Sequence, residues 1–331
     1  MFLLIGIGVS LFTGIYIFKT VSDSPKITES MLNESVGETS NMYASDGTII
    51  WSDTEHIRDY IKIEDVPDNY KKMLLATEDK DFYTNPGFDI KAVFNAVLSR
   101  GKRGGSGINQ QLVKNISFSS SDEDRTIKRK IQELFLSIQM EKNFSKDKIL
   151  EYYINLINMG EGSYGANTIA ITYYNQSLKD LTGNDAKTLS KLAIIAGLGQ
   201  APSAYNLYDN PEAVEKRREE VLLSALREKV IDDNMYEEIK KIPVQEDLQT
   251  RYWRNSNVLE QGKEHSAYIS SALQQIKDLG YDLSKTPMQI YTGLDTKVNS
   301  DVKSIFDNFY GYQDDNMQAA GTFIDPNTGY V

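Results

Sequence analysis

The sequence predicts a mainly α-helical protein, with a transmembrane helix at the N-terminus, a large helical domain behind it and a small α+β region at the C-terminal end. Three observations carry this prediction. An uncharged apolar run opens the chain. From Val66 to about Lys241, apolar residues recur at helical spacing between capping residues. After Lys241 the pattern gives way to short strand and turn signals.

Met1 to Phe18 (MFLLIGIGVSLFTGIYIF) carries no charge, and Lys19 closes it. At the rise of an α-helix this segment spans about 27 Å, close to the hydrocarbon thickness of a bilayer. A cleaved leader calls for a basic start and a small-x-small site, and Lys19-Thr-Val-Ser-Asp offers neither. Residues 1–19 therefore read as a retained single-pass anchor and residues 20–45, rich in Ser, Thr, Glu and Asn, as a stalk. No basic residue precedes the apolar run, so charge does not set its orientation.

Asp46-Gly47 marks a turn between Met42-Tyr43-Ala44 and Thr48-Ile49-Ile50-Trp51. Asp68 is placed to cap a helix through Met73 and Leu75 to Glu78. Ser145 is placed to cap a second, with Ile149, Leu150, Tyr153, Ile154 and Ile157 on one stripe. Asp185 opens an apolar helix that stops at Gly197. Asn210-Pro211 opens a charged one, with cap and proline in their preferred places. Beyond Lys241, residues 267–279 read as a helix, Gln289-Ile-Tyr-Thr as a strand and 295–309 as a helix. Residues 319–331 read as a strand running into an Asp-Pro-Asn-Thr-Gly turn.

Composition narrows the chemistry. A net charge of −11 over 331 residues argues against a nucleic-acid binder. The absence of Cys excludes disulfides and thiolate metal sites, and His56 and His265 are too few for a zinc site.

Four segments stand out. In Ala76-Thr-Glu-Asp-Lys-Asp-Phe-Tyr-Thr-Asn-Pro-Gly, Glu78 and Asp79 close a helix, where carboxylates oppose the macrodipole. They suit acid/base work in a cleft or, more plainly, a solvated helix end. In Arg103-Gly-Gly-Ser-Gly-Ile-Asn-Gln-Gln-Leu-Val-Lys-Asn, glycines admit close backbone approach by a ligand, and the amides and Lys114 suit a sugar or phosphate. A flexible surface loop is the plain alternative. In residues 125–138, Ile127, Ile131, Leu134, Phe135 and Ile138 form one helical stripe, with Arg125, Arg129 and Glu133 on the opposite side. Residues 100–130 hold eight Lys/Arg against three acids on an otherwise acidic chain, which points to an anion site such as one for a diphosphate. In the fourth segment, residues 148–165, the apolar stripe is core, and Glu151 and Asn155 at i,i+4 serve as braces.

In this order the segments resemble glycosyltransferase family 51, the glycan-polymerising module of class A penicillin-binding proteins. The first family motif, Glu-Asp-x-x-Phe-x-x-His-x-Gly, is met by Glu78, Asp79, Phe82 and Gly87. The second, Gly-x-Ser-Thr-Ile-Thr-Gln-Gln, is met by Gly104, Ser106, Ile108, Gln110 and Gln111, and runs on to Lys114-Asn115. The third, Arg-Lys-x-x-Glu, is met by Arg129, Lys130 and Glu133. The fourth, Lys-x-x-Ile-Leu-Glu-x-Tyr-x-Asn, is placed at Lys148, Ile149, Leu150, Glu151, Tyr153 and Asn155. The fifth resembles Ala196-Gly-Leu-Gly-Gln-Ala-Pro-Ser-Ala-Tyr-Asn. Three positions depart from the pattern: Asn85 stands for the motif histidine, and Gly107 and Asn109 for its two threonines.

The resemblance implies a lysozyme-like bilobed helical domain over residues 46–241. Residues 242–331 would form a linker and the incomplete start of a transpeptidase domain, as in a truncated bifunctional protein. It implies polymerisation of lipid II by inverting transfer, with undecaprenyl diphosphate as leaving group, on the outer side of the cell membrane. Glu78 would be the general base, and Glu133 would orient the cations or assist departure. Asp79, Phe82, Ser106, Gln110, Gln111, Lys114, Asn115, Arg125, Arg129 and Lys130 would meet the substrate, and Glu151 and Asn155 would support the fold. No cofactor is required; a divalent ion, Mg or Mn, is compatible with the scheme. Partners would be lipid II, the growing glycan strand, the membrane and other cell-wall synthesis proteins. The three departures leave an alternative, a degenerate scaffold that binds lipid II or partner proteins without turnover. A hydrolase on a related scaffold is disfavoured by the basic segment, which hydrolysis does not need.

Overall fold

The computed structural model describes residues 2–88, 106–118, 127–251 and 263–308, together with Pro326. In chain order its longer elements are α1 (Phe2–Ser22), α2 (Glu29–Ser35), β1 (Asn41–Tyr43), β2 (Ile49–Ser52), β3 (Ile57–Arg58), α3 (Asp68–Glu78), α4 (Ile108–Ser117), α5 (Ile127–Asn143) and α6 (Lys146–Leu156). These are followed by β4 (Asn158–Gly160), β5 (Ser163–Tyr164), α7 (Ala166–Tyr174), α8 (Ala186–Leu198), α9 (Pro211–Arg227), α10 (Asp233–Ile239), α11 (Ser266–Asp278), β6 (Gln289–Tyr291) and α12 (Thr296–Asp307). The chain divides into two compact units, one of residues 1–36 and 58–249 and one of residues 37–57 and 250–331.

The larger unit is helical. α9 packs on both α8 and α3, and α4 packs on α5 and α6. Tyr70, Met73, Leu192, Ile195, Val221 and Leu222 are buried where the first three helices meet, each such side chain contributing about 1.5–3 kcal/mol. Local signals set the helix starts. Ser145 Oγ accepts from Lys148 N at 3.2 Å, and Asp185 Oδ1 accepts from Thr188 N at 3.0 Å, as the sequence predicts. Asp68, expected as a cap, is instead the first residue of α3 after Pro67. There it pairs with Lys71 Nζ at 2.9 Å, and that hydrogen bond holds its carboxyl below the usual range.

The expected apolar stripe of α5 needs correction. The buried face of this helix carries Arg129, Gln132, Glu133, Leu136, Ser137 and Met140, whereas Phe135 is exposed and Ile131, Leu134 and Ile138 are only half-buried. The polar face turns inward because its charges find partners there.

α1 covers the N-terminal apolar run. The side chains of residues 1–11 lie outside the described residues, and among the described residues no helix is long and apolar enough to cross a membrane. The last turns of α1 rest on α5, where Gln132 Nε2 donates to Thr20 O at 3.2 Å and Lys128 lies 3.8 Å from Asp23.

The smaller unit is built on a three-stranded sheet of order β2-β1-β6. β1 and β2 form the antiparallel pair expected around Asp46-Gly47, with Met42 opposite Trp51. β6 adds parallel to β1, with Met42 beside Ile290. Met42, Ala44, Ile50, Ile269 and Leu294 form a separate small core beneath this sheet. The strand at 319–325 expected from the sequence lies outside the described residues.

Candidate active site

Glu78 ends α3, and its carboxylate is held from two sides. Arg217 Nη2 lies 2.7 Å from Oε1, and Gln111 Nε2 donates to Oε2 at 3.0 Å. Arg217 projects from α9 across α8, where Gly197 makes room for it. A Cβ at that position would lie 2.9 Å from Arg217 Cγ, and Arg217 Nε donates to Gly197 O at 3.0 Å. The Gln111 amide is fixed in turn by Tyr153, whose hydroxyl donates to Oε1 at 3.1 Å. Burial, with the negative charge of Glu78 added, pushes the Tyr153 phenol well above its ordinary value, so it remains a neutral donor.

A polar path leads from this acid to a group of cations. Gln111 Nε2 also donates to Ser106 O at 3.2 Å, and Ser106 Oγ accepts from Lys130 Nζ at 2.8 Å. Lys130 Nζ reaches Glu133 Oε2 at 2.7 Å, and Arg129 Nε donates to Glu133 Oε1 at 3.2 Å. The Arg129 guanidinium lies over the Phe118 ring, 5.1 Å from its centroid. Glu133 is thus a buried carboxylate that fixes two cations, and of these the Lys130 side chain is half exposed to solvent. α4 carries Ser106 just ahead of its first turn and Gln111 in its second, and so spans the interval between acid and cations. A carboxylate joined through such a path to a solvent-facing cation can accept a hydroxyl proton while the cation stabilises a departing anion.

The transglycosylase family profile matches residues 46–226. The chain belongs to the transglycosylase family. It is 33% identical to penicillin-binding protein 1A of Streptococcus pneumoniae over 325 residues, covering 95% of this chain and 43% of that protein. It is 33% identical to penicillin-binding protein 1A/1B of Bacillus subtilis over 320 residues, covering 94% of this chain and 33% of that one. With penicillin-binding protein 1A of Neisseria gonorrhoeae it shares 39% identity over 195 residues, 57% of this chain and 23% of the relative. The crystal structure of penicillin-binding protein 1A from Haemophilus influenzae superposes with a TM-score of 0.43 at 22% identity, covering 86% of this chain and 33% of that one. The chain spans less than half the length of these relatives.

Within this member of the family, six of the residues singled out in the sequence lie on the one path: Glu78, Ser106, Gln111, Arg129, Lys130 and Glu133. Lys114 and Asn115 are exposed on α4, with Lys114 on the same face as Gln111. Arg125 and Gly104 lie outside the described residues. Three expected substrate contacts are placed differently. Phe82 is fully buried and packs in the core. Gln110 is buried on the inner side of α4, and among the described residues its Oε1 has no partner. Asp79 turns away from Glu78 and caps α4, accepting from Ile108 N at 3.1 Å and Asn85 Nδ2 at 3.0 Å.

Glu151 and Asn155 anchor the segment before α3. Glu151 accepts from Tyr60 Oη at 2.6 Å, Lys148 Nζ at 2.6 Å and Ile63 N at 2.9 Å. Asn155 bonds both the N–H and the C=O of Ile61, at 2.9 and 2.8 Å. Two residues escaped the sequence reading. Arg217 carried a legible signal: Val214, Val221, Leu222 and Ala225 mark the buried stripe of α9, and Arg217 and Arg218 sit inside it. Lys146 is the second. The fourth motif was placed at Lys148, yet the lysine three residues before Ile149 is Lys146, and it is this side chain that reaches the turn after Glu78.

Proposed function

We propose that this chain is a peptidoglycan glycosyltransferase that polymerises lipid II into glycan strands. The observation that carries this reading is the continuous polar path from Glu78 to Arg129 and Lys130 within a transglycosylase domain. The 4-hydroxyl of the acceptor sugar attacks the anomeric carbon of the donor. A carbon–oxygen bond forms there as the bond to the undecaprenyl diphosphate breaks on the opposite face, so the anomeric centre inverts. Arg217 occupies Oε1 of Glu78, which leaves Oε2, bonded among the described residues to the Gln111 amide alone, to take the hydroxyl proton. Lys130 and Arg129, aligned by Glu133, neutralise the leaving diphosphate, and Lys114 and Arg125 add positive charge from α4 and from the segment that follows it in sequence. Retention of both carboxylates in held positions supports turnover over a purely scaffolding role.

The domain is read as the lysozyme-like bilobed type, attached to the membrane by a single N-terminal pass with the catalytic part outside. Exposed Phe12, Ile15, Ile17 and Phe18 on α1, and exposed Phe135 on α5, support bilayer contact. A lipid-linked donor places substrate and enzyme in the same membrane.

The test supplies purified chain with lipid-linked disaccharide in one reaction and with finished glycan in another. Glycan strands grow in the first and the polymer stays intact in the second. Shortening of finished glycan with no growth would replace this reading with hydrolysis.

A further inference from the structure

Asn85, Gly107 and Asn109, the three departures from the motif pattern, meet in one polar ring. Asp79 Oδ1 accepts from Asn85 Nδ2 at 3.0 Å, and its Oδ2 accepts from Ile108 N at 3.1 Å. A Cβ at Gly107 would lie 2.3 Å from that Oδ2, so the absence of a side chain is what lets Asp79 approach α4 so closely. On the far side of Asn85, Lys146 Nζ donates to its backbone O at 2.8 Å and its Oδ1 at 3.2 Å. The same ammonium reaches Glu141 Oε1 at 2.7 Å, and that oxygen also accepts from Asn109 Nδ2 at 2.7 Å. Asn109 follows Ile108, whose N–H closes the ring on Asp79.

The ring ties together the turn after α3, the first turn of α4, the end of α5 and the start of α6. Lys146 is its hub, with its ammonium 4.6 Å from the centroid of the buried Phe82 ring. The Lys146 and Glu141 side chains are only 18% and 16% exposed, so their attraction is little screened by water. Gly87, at φ 94°, brings the turn onto α5, because a Cβ there would lie 2.7 Å from Glu141 Cγ. Glu78 immediately precedes Asp79, and Gln111 lies two residues beyond Asn109. The ring therefore clamps the two backbone segments that carry the bonded pair Glu78–Gln111.

We infer that Lys146 is a positioning residue for the acid. Through Asn85 on one side and Glu141–Asn109 on the other, it sets the separation of Glu78 and Gln111. Asn85, Gly107 and Asn109 are one matched set serving that clamp rather than three independent losses. This rests on the glycosyltransferase reading above.

The test measures kcat and KM on lipid-linked disaccharide for the full chain carrying Lys146→Met, Lys146→Arg, Asn85→Ala, Asn109→Ala and the double asparagine change, the last three also with Lys146→Met. Lys146→Met lowers kcat about tenfold to a hundredfold, the scale of a misplaced catalytic group, and shifts KM by less than about twofold. Lys146→Arg, which can still donate to both partners, retains more of the rate. The Asn85 and Asn109 changes are non-additive in kcat when Lys146 is present and additive when it is Met. A wild-type kcat in Lys146→Met, or additive asparagine effects beside an intact Lys146, overturns the inference. The asparagine pair decides the matter even where Lys146→Met does not fold. A wild-type chain with no turnover at all would instead sink the activity reading, and this inference with it, so the two failures are told apart.

Discussion

Arg217 is the residue on which the geometry of Glu78 most depends. Its side chain is buried, and its three nitrogens are divided among Gly197 O, Glu220 and Glu78. Arg217→Ala leaves Glu78 without its cation in a largely dry setting, a change that costs about 3 kcal/mol in comparable buried pairs. Denaturant unfolding should read that loss, and polymerisation should fall with it. Gly197→Ala crowds the arginine stem most and Val221 less, so it should slow polymerisation with a smaller effect on stability than Arg217→Ala. Wild-type turnover in Arg217→Ala would remove Arg217 from the account. At this scale the sequence was only partly legible. Glu78, Lys130 and Glu133 stood in compact motifs, but Arg217 and Glu78 are 139 residues apart, and only the intrusion of arginines into an apolar stripe hinted at their pairing. That Phe82 and Gln110 are buried was not legible, because motif spacing does not say which side of a turn or helix faces the core.

Elements obeyed their local signals where those signals act over three residues, as at Ser145 and Asp185. The side of α5 that turns inward was harder to read, because a helix with both an apolar stripe and a partnered charged stripe can bury either. α6 shows how one helix fixes another segment. Burial pushes the Glu151 carboxyl up, but Lys148, Tyr60 and the Ile63 N–H together outweigh this, and its pKa lies below the ordinary 4.5. A carboxyl lowered on folding contributes stability that is complete above its unfolded value and is lost as pH falls through its folded one. The urea midpoint of the wild type should therefore drop on acidification below about 4.5, and Glu151→Gln should remove part of that drop. Identical pH profiles for the two proteins would show that the brace adds nothing.

For the whole molecule, the mainly helical class was legible from periodicity, and the hairpin at Asp46-Gly47 from its turn. The parallel addition of β6 to β1 was not, since it joins residues about 250 positions apart in sequence with no local mark of pairing. The proposed membrane attachment also belongs to this scale. Placing Asp at Phe12, Ile15 and Phe18 together costs several kcal/mol in a bilayer, on the order of 2.5–3.5 kcal/mol per residue near its centre. The triple variant should move from the vesicle pellet to the supernatant on sedimentation. Undiminished co-sedimentation would place the membrane contact elsewhere.

The central claim is that the carboxylate at the end of α3 takes the acceptor proton while Lys130 and Arg129 receive the diphosphate. Single-turnover transfer from lipid-linked disaccharide by Glu78→Gln tests it most directly. The amide preserves size and its oxygen can still accept from Arg217, so the variant should fold, bind donor and form glycan at least about a hundredfold more slowly, the scale expected for loss of a general base. Glycan formation at the wild-type rate by the folded variant would contradict the account.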